Sequence, residues 1–310
     1  MKNSLTVALD VLKNLSDAAH QCDAHAYLFV RSQLAIPRTF SVFKKDVRLN
    51  ESIKFRLYRP EHAAGSLGGI VFTHGGGWHY GSPDSHDAFC MQLCADTQMN
   101  IYSLDYGLCP TLNYPGTVTA CTSILRHLLE HKASYYLNDE ELYFCGDSAG
   151  GNLAAALAIY CRESAINYSG QILMYPILNT DIRAYIRNTR KSPLYSLQQL
   201  SHHLSGYLPD THRQDDWYAS PSLYPTEKLA PTLLVSGTLD ILFDENIKYH
   251  QKIQRSGAAV DHFILKGLPH GFITLEKLFP EVQDVIKYIT NFIRKTRTTH
   301  EITKIPTNHI

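Results

Sequence analysis

A serine set between glycines is the first feature of this sequence that could do chemistry. The run Phe144-Cys145-Gly146-Asp147-Ser148-Ala149-Gly150-Gly151-Asn152 follows an apolar stretch and precedes an Ala-rich helical one. A sharp strand-to-helix turn leaves no room for side chains, so Gly146 and Gly150 can flank a serine whose hydroxyl projects at a helix N-terminus. The plainer role for such a serine is a helix N-cap after a glycine turn; a strand before it and a helix after it favour the exposed nucleophile. A serine hydroxyl is a weak nucleophile near neutral pH. It needs a histidine base, itself oriented by a carboxylate.

Upstream lies Thr73-His74-Gly75-Gly76-Gly77-Trp78, directly after the apolar run Gly69 to Thr73. Consecutive glycines let backbone N–H groups converge on one point, where they can hold the negative oxygen of a tetrahedral intermediate. The expected donors are the N–H groups of Gly75, Gly76 and Ala149, with His74 and Gly77 completing the motif. A phosphate-binding loop is the rival, but neither G-K-[ST] nor G-x-G-x-x-G is present.

The glycine-flanked serine turn resembles that of the α/β hydrolases, in which the chain order is serine, acid, histidine, with the last two on late strand-end loops. Leu233 to Asp240 places Asp240 just beyond an apolar strand, and His262 to Phe272 places His270 in the loop after the next. Both point to the edge where Ser148 stands. Asp244 fits better as a favourable carboxylate at the start of the following helix. His262 lies within its strand and would point sideways. Asp147 is a candidate second acid, more simply read as a brace for the turn. His74, His79, Asp84, His86 and Asp87 crowd together without a recognised metal-ligand spacing, so no metal is expected. His202 and His203 read as solvated surface, and Cys145, like Cys90 and Cys94, as a core thiol.

The elements that must position these residues follow from periodicity. Short β-rich runs at Ser52–Tyr58, Gly69–Thr73, Ile101–Leu104, Leu142–Cys145, Gln171–Tyr175, Thr232–Ser236 and His262–Leu265 alternate with helical patterns. The helices are expected near Ser85–Thr97, Val118–His131, Ala149–Cys161, Glu245–Ser256 and Pro280–Thr296. This alternation predicts an α/β fold with a mostly parallel sheet covered by helices on both faces, whose ligands bind beyond the carboxyl ends of the strands. Residues 1–310 are taken as one domain. Met1 to about Thr39, with Leu5, Ala8, Leu9, Leu12 and Leu15 at helical spacing, and the polar, His- and Tyr-rich stretch from about Thr180 to Trp217 break the alternation. These two are expected to form a helical cap; the plainer reading is an unrelated terminal decoration and a surface insertion.

Composition excludes several classes. With 44% hydrophobic and 19% charged residues the chain is neither disordered nor a coiled coil. Lys+Arg and Asp+Glu both total 29, so no net charge favours nucleic acid or an acidic bilayer. No run of about 18 apolar residues suggests a membrane span, and Met1 to His20 lacks the apolar run of a secretory signal. Seven cysteines, an odd number without a C-x-x-C pair, suit reduced buried thiols. Together these point to a cytoplasmic protein.

Taken together, His74-Gly75-Gly76-Gly77, Gly146-Asp147-Ser148-Ala149-Gly150, the Asp240 and His270 loops, and Ser220-Pro221 resemble the hormone-sensitive-lipase-like family of α/β hydrolases, particularly its bacterial acetyl esterase branch. The resemblance covers roughly Ile70 to Phe272. It implies the α/β-hydrolase fold, hydrolysis of carboxylic esters with short acyl chains, no cofactor, and a cap built from the N-terminus and a later insertion. It implies Ser148, Asp240 and His270 as the catalytic set and a small-molecule ester as partner; a homodimer or a regulatory protein partner is compatible with it. The family's D-Y-R-L-A-P-E segment is matched by Asp105 to Thr111, with Gly107 and Thr111 where arginine and glutamate usually stand. Trp78, His79 and Tyr80 differ from the more aliphatic residues common there and are expected to narrow the substrate pocket. The nearest alternatives are an arylformamidase-type amidase, whose H-G-G-x-W motif His74 to Trp78 echoes, and a non-catalytic receptor on the same fold.

Overall fold

The computed structural model describes Leu34, Ile36 and residues 38–50, 54–186, 192–227 and 229–304, without the side chains of 298–304. Eight strands form one sheet: β1 (Val42–Arg48), β2 (Lys54–Pro60), β3 (Leu67–Thr73), β4 (Asn100–Asp105), β5 (Leu137–Asp147), β6 (Gly170–Met174), β7 (Thr232–Leu239) and β8 (Val260–Pro269). Their spatial order is β1-β2-β4-β3-β5-β6-β7-β8. From β4 to β8 neighbouring strands run parallel, while β2 is antiparallel to β4 and β1 to β2. The helices α1 (Asp87–Thr97), α2 (Gly116–Glu130), α3 (Ala149–Glu163), α5 (Phe243–Arg255) and α6 (Val282–Lys304) connect or follow strands, and α4 (Leu197–Tyr207) lies in the insertion before β7. The seven expected strands and five expected helices are present, with ends displaced by up to five residues in the strands and by eight at the end of α6.

Each parallel strand feeds two cores because successive side chains point to opposite faces. Val71, Leu142, Phe144, Leu173 and Leu234 pack with α2, α3 and α5 on one face. Ile70, Phe72, Tyr143, Cys145, Ile172, Met174, Leu233 and Val235 pack with α1 and α6 on the other. Burial on both faces is why these strands read as continuous apolar runs. The strand the sequence did not announce, β1, is Val-Phe-Lys-Lys-Asp-Val-Arg and largely exposed. It is the sheet's edge, where charged residues discourage pairing with another chain and erase the apolar alternation.

The topology also fixes where a site can form. From β3 the chain moves to β4 on one side, then returns to place β5 on the other. A crevice opens beyond the carboxyl ends of strands at such a reversal. Thr73 and Gly146 are paired at those ends, so the loops carrying His74–Gly77 and Ser148 emerge side by side.

Most of the first expected cap segment lies outside the described residues, though Leu34 is buried against Leu194 and Leu275. The second is described in large part. Its helix α4 begins at a capping box, in which the Ser196 hydroxyl accepts from Gln199 N–H and the Gln199 side chain accepts from Ser196 N–H. The described cysteines, Cys90, Cys94, Cys109, Cys121, Cys145 and Cys161, are buried and unbridged. No helix among the described residues is long and apolar enough to cross a membrane.

The two-core arrangement makes a stability prediction. Ile289 of α6 is fully buried against the sheet, so Ile289→Ala is expected to cost about 2–5 kcal/mol. Lys287, on the exposed side of the same helix, should change stability by no more than about 0.5 kcal/mol when replaced by Ala. Urea unfolding would show this as a lowered midpoint with unchanged slope for the first variant only.

Candidate active site

The turn at Ser148 is forced by close backbone packing. Ser148 has φ 55° and ψ −119°, a strained conformation for a residue with a side chain. A Cβ on Gly150 would run into the carbonyl oxygen of Thr73, and one on Gly146 into that of Gly150. The Thr73 hydroxyl donates to Gly150 O at 2.7 Å. Ser148 N–H donates to Met174 O on β6 at 2.9 Å, and its carbonyl accepts from Asn152 and Ile177 N–H. The Asn152 amide in turn donates to Ile177 O and Ala219 O, both at 2.9 Å. The serine is thereby bonded to the strand, helix and loop around it.

Two loops bring the histidine and the acid. Ser148 Oγ lies 2.8 Å from His270 Nε2, and His270 Nδ1 lies 2.7 Å from Asp240 Oδ2. Asp240 is 1% exposed, and its other oxygen accepts from Leu242 N–H at 2.9 Å. With two oxygens accepting, the network assigns the imidazole proton to Nδ1 and leaves Nε2 to accept from the serine. This arrangement can draw the proton from a serine hydroxyl and stabilise the imidazolium that results. Asp244 sits in the first turn of α5. His262 lies in β8 with Nε2 3.0 Å from Ser236 Oγ, away from Ser148.

The glycine loop departs from expectation at one donor. Gly75 N–H is committed to Asp147 Oδ1 at 2.7 Å, so it cannot point at a substrate oxygen. Among the described residues no partner is recorded for the N–H groups of Gly76, Gly77 and Ala149. The carbonyl of Gly76 accepts from His79 and Tyr80 N–H, turning this peptide inward. Positive φ at Gly76 (125°) and Gly77 (62°) is what this reversal demands. His74 pins the loop from behind. Its ring stacks on Tyr106 at 4.4 Å, Nδ1–H donates to Gly75 O at 2.9 Å, and its carbonyl accepts from Tyr106 hydroxyl at 2.8 Å.

Asp147 is buried and braces rather than opens the turn. Beyond holding Gly75, its Oδ1 lies 3.0 Å from His86 Nε2, which is out of line for a hydrogen bond. Tyr175 hydroxyl reaches its Oδ2 at 3.5 Å. Of the other acids near the glycine loop, Asp84 and Asp87 pair with Arg56.

The cavity at Ser148 is small, about 40 Å³, and Gly76, Tyr80, His86, Tyr195, His203 and His270 are among its walls. A larger chamber of about 570 Å³ adjoins it, sharing Ser85, His86 and Thr274. Of the three aromatic residues expected to narrow the pocket, Tyr80 does so. Trp78 is fully buried and stacks on Tyr207 with centroids 3.9 Å apart, packing the insertion onto the core. His79 turns its Nδ1 back to Gly77 O at 2.8 Å and packs against His202 and His203. Its contacts are thus with α4 and not with the cavity.

His203, expected on the solvated surface, is buried at the cavity wall. It and Tyr195, Leu194 and Gln199 were not singled out as site residues. The signal available was Ser196-x-x-Gln199, which marks a helix start and so predicts which of the following residues face inward.

Residues 70–274 match the family described as alpha/beta hydrolase fold. The chain is 33% identical over 250 residues to the carboxylic ester hydrolase LipN of Mycobacterium tuberculosis, covering 73% of this chain and 62%, less than two thirds, of that relative. It is 27% identical over 238 residues to the acetyl esterase of Salmonella typhi, covering 75% of this chain and 73% of the relative. The crystal structure of a hyperthermophilic esterase from the archaeon Pyrobaculum calidifontis superposes with a TM-score of 0.78 at 23% identity, over 92% of this chain and 91% of that one. The chain belongs to the α/β-hydrolase family. The three relatives described carry ester-hydrolase names, in keeping with the resemblance to the hormone-sensitive-lipase-like branch.

Burial sets the charge state of the site's outer histidines. Desolvation holds His74 down to about 4, with His86 adding to the effect, and holds His203 down to about 3, with His79, His202 and His270 adding. An unfolded chain takes up these protons near pH 6.5 while the folded one refuses them. The associated stability is therefore fully present above about pH 6.5 and is lost as pH falls toward 4 and 3, by up to about 1.4 kcal/mol per pH unit for each imidazole. Urea midpoints should fall between pH 6.5 and 4, and less steeply for His203→Gln; equal slopes would contradict the burial argument.

Proposed function

We propose that this protein is a serine-dependent carboxylic ester hydrolase that cleaves short-acyl esters, acetyl to about hexanoyl, through an acyl-enzyme. The observation that carries this is the continuous hydrogen-bond chain Ser148–His270–Asp240, at 2.8 and 2.7 Å, beside backbone N–H groups without partners. Ser148 Oγ attacks the ester carbonyl while His270 Nε2 takes its proton. Asp240 holds Nδ1–H and stabilises the imidazolium. The oxyanion is received by the N–H groups of Gly76, Gly77 and Ala149, the last at the positive end of α3. Collapse expels the alcohol, which takes the proton from His270. Water, activated by the same imidazole, then attacks the acyl-enzyme and frees Ser148. The chain's own residues carry every step.

The small cavity at Ser148 supports a short acyl group. The names of the M. tuberculosis and S. typhi relatives support ester hydrolysis. We take residues 180–217, together with 1–39, as the cap, on the support of Tyr195 and His203 standing in the cavity wall. The buried, unbridged thiols support a reducing, cytoplasmic setting. The burial of Trp78 against Tyr207 takes the tryptophan of the amidase-like motif out of the cavity wall, while the glycines of that motif remain in it.

Hydrolysis of p-nitrophenyl acetate, butyrate, octanoate and palmitate tests the reading. Wild type should prefer the two short esters, be indifferent to EDTA, and lose at least about a thousandfold in kcat in Ser148→Ala. Asp240→Asn, which presents the imidazole in the wrong tautomer, should lose about 10⁴-fold. A folded wild type without ester turnover, or a Ser148→Ala variant near wild-type rate, overturns the proposal.

A further inference from the structure

One face of the His270 imidazole is covered by a residue from the insertion. The Tyr195 ring lies over it with centroids 4.5 Å apart and planes 18° apart. Tyr175 meets the same imidazole in a T-shaped contact at 5.0 Å. The ring of His270 is therefore held between two aromatics as well as by its bonds to Ser148 and Asp240.

Tyr195 is itself fixed. It is 7% exposed, it stands immediately before the capping box that starts α4, and its hydroxyl is 2.9 Å from Nδ1 of His203. A neutral His203 can accept the phenol proton there. His203 also backs onto the glycine loop, because a Cβ on Gly77 would run into its ring. It touches the rings of His79 at 5.3 Å and Tyr80 at 5.7 Å. The Tyr195–His203 pair thus forms a stretch of the cavity wall that runs from the imidazole at one end to the glycine loop at the other.

In ester cleavage the leaving oxygen must lie where Nε2 of the histidine can return a proton to it, while the carbonyl oxygen faces the N–H donors. Of the two rings on the imidazole, Tyr195 is the one that lines the cavity, so it is the one that a group attached to the leaving oxygen would meet there. An aromatic side chain has few rotatable bonds, and one pinned at its hydroxyl is a stiff wall. We infer that Tyr195, held by His203, is a positioning and specificity-determining residue: it fixes the His270 ring and discriminates against alcohol halves of the ester bulkier than a flat ring. This rests on the ester-hydrolase reading of the same site.

The test is a pair of substrate series. One varies the alcohol at constant acyl group (methyl, butyl, benzyl and menthyl acetates), and the other varies the acyl group (p-nitrophenyl acetate to octanoate). Tyr195→Ala is expected to raise kcat/KM for menthyl acetate by about tenfold relative to methyl and benzyl acetate, mainly through KM, while the order of the acyl series is kept. Tyr195→Leu, which leaves less of a hole, should do the same to a smaller degree and guards against a misfolded alanine variant. Tyr195→Phe keeps the ring but loses its bond to His203 and should shift the alcohol profile in the same direction by less than Tyr195→Leu does. An active wild type whose alcohol ratios do not move in Tyr195→Ala or Tyr195→Leu, or whose acyl order moves instead, overturns the inference alone. A wild type inactive on all of these esters overturns it together with the ester-hydrolase reading.

Discussion

The close approach of the end of β3 to the start of α3 governs the rest of the site. Two backbones meet where Gly150 faces the carbonyls of Thr73 and His74 with no space for a side-chain carbon. The contact is possible only with glycine, and it places the turn that carries Ser148 against the loop that carries the N–H donors. The strain at Ser148 is held by a surrounding set of bonds, from Ser148 N–H to β6 and from its carbonyl to Asn152 and Ile177. A conformation costing of order 1–3 kcal/mol persists only when its neighbours over-determine it. Here strand, helix and loop each contribute.

Asp147 extends that constraint to a third element. A buried carboxylate is costly unless hydrogen-bonded, and this one takes the N–H of Gly75 while Tyr175 hydroxyl approaches its other oxygen. Tyr175 hydroxyl also accepts from Ile273 N–H in the segment after His270, at 3.3 Å. One carboxylate therefore ties together the turn, the glycine loop and the histidine loop. By occupying Gly75 it turns the following two peptides into the ones that can serve a ligand, so its effect on the site is exerted through which donors remain.

Much of this was legible in the sequence, and the parts that were not share a cause. Strands buried on both faces read as unbroken apolar runs, and so β3, β5, β6 and β7 and the loops at their ends were located; His270 stands within hydrogen-bond distance of both Ser148 and Asp240. The edge strand β1 carries no such run because nothing covers its faces enough to demand one. Gly75 and Gly76 are indistinguishable in composition, and only the position of the Asp147 carboxylate decides which N–H is spent. Trp78 reads equally as pocket wall or as core, and the choice depends on Tyr207, more than a hundred residues away, stacking on it.

The insertion is where sequence patterns are weakest and where the site acquires its roof. Its residues are polar by type, yet His203 is buried and neutral because it meets Gly77, His79, Tyr80 and Tyr195 at once. None of those partners is set by helical period alone, since three of them come from a loop that the sheet topology delivers. A polar residue can line such a roof because each ring packs on another ring and its hydrogen-bonding atoms face inward. The α/β core can thus hold the serine, histidine and aspartate in place while the insertion varies what reaches them, and a roof built on a few ring contacts can be re-cut by changing one of them without disturbing the sheet beneath.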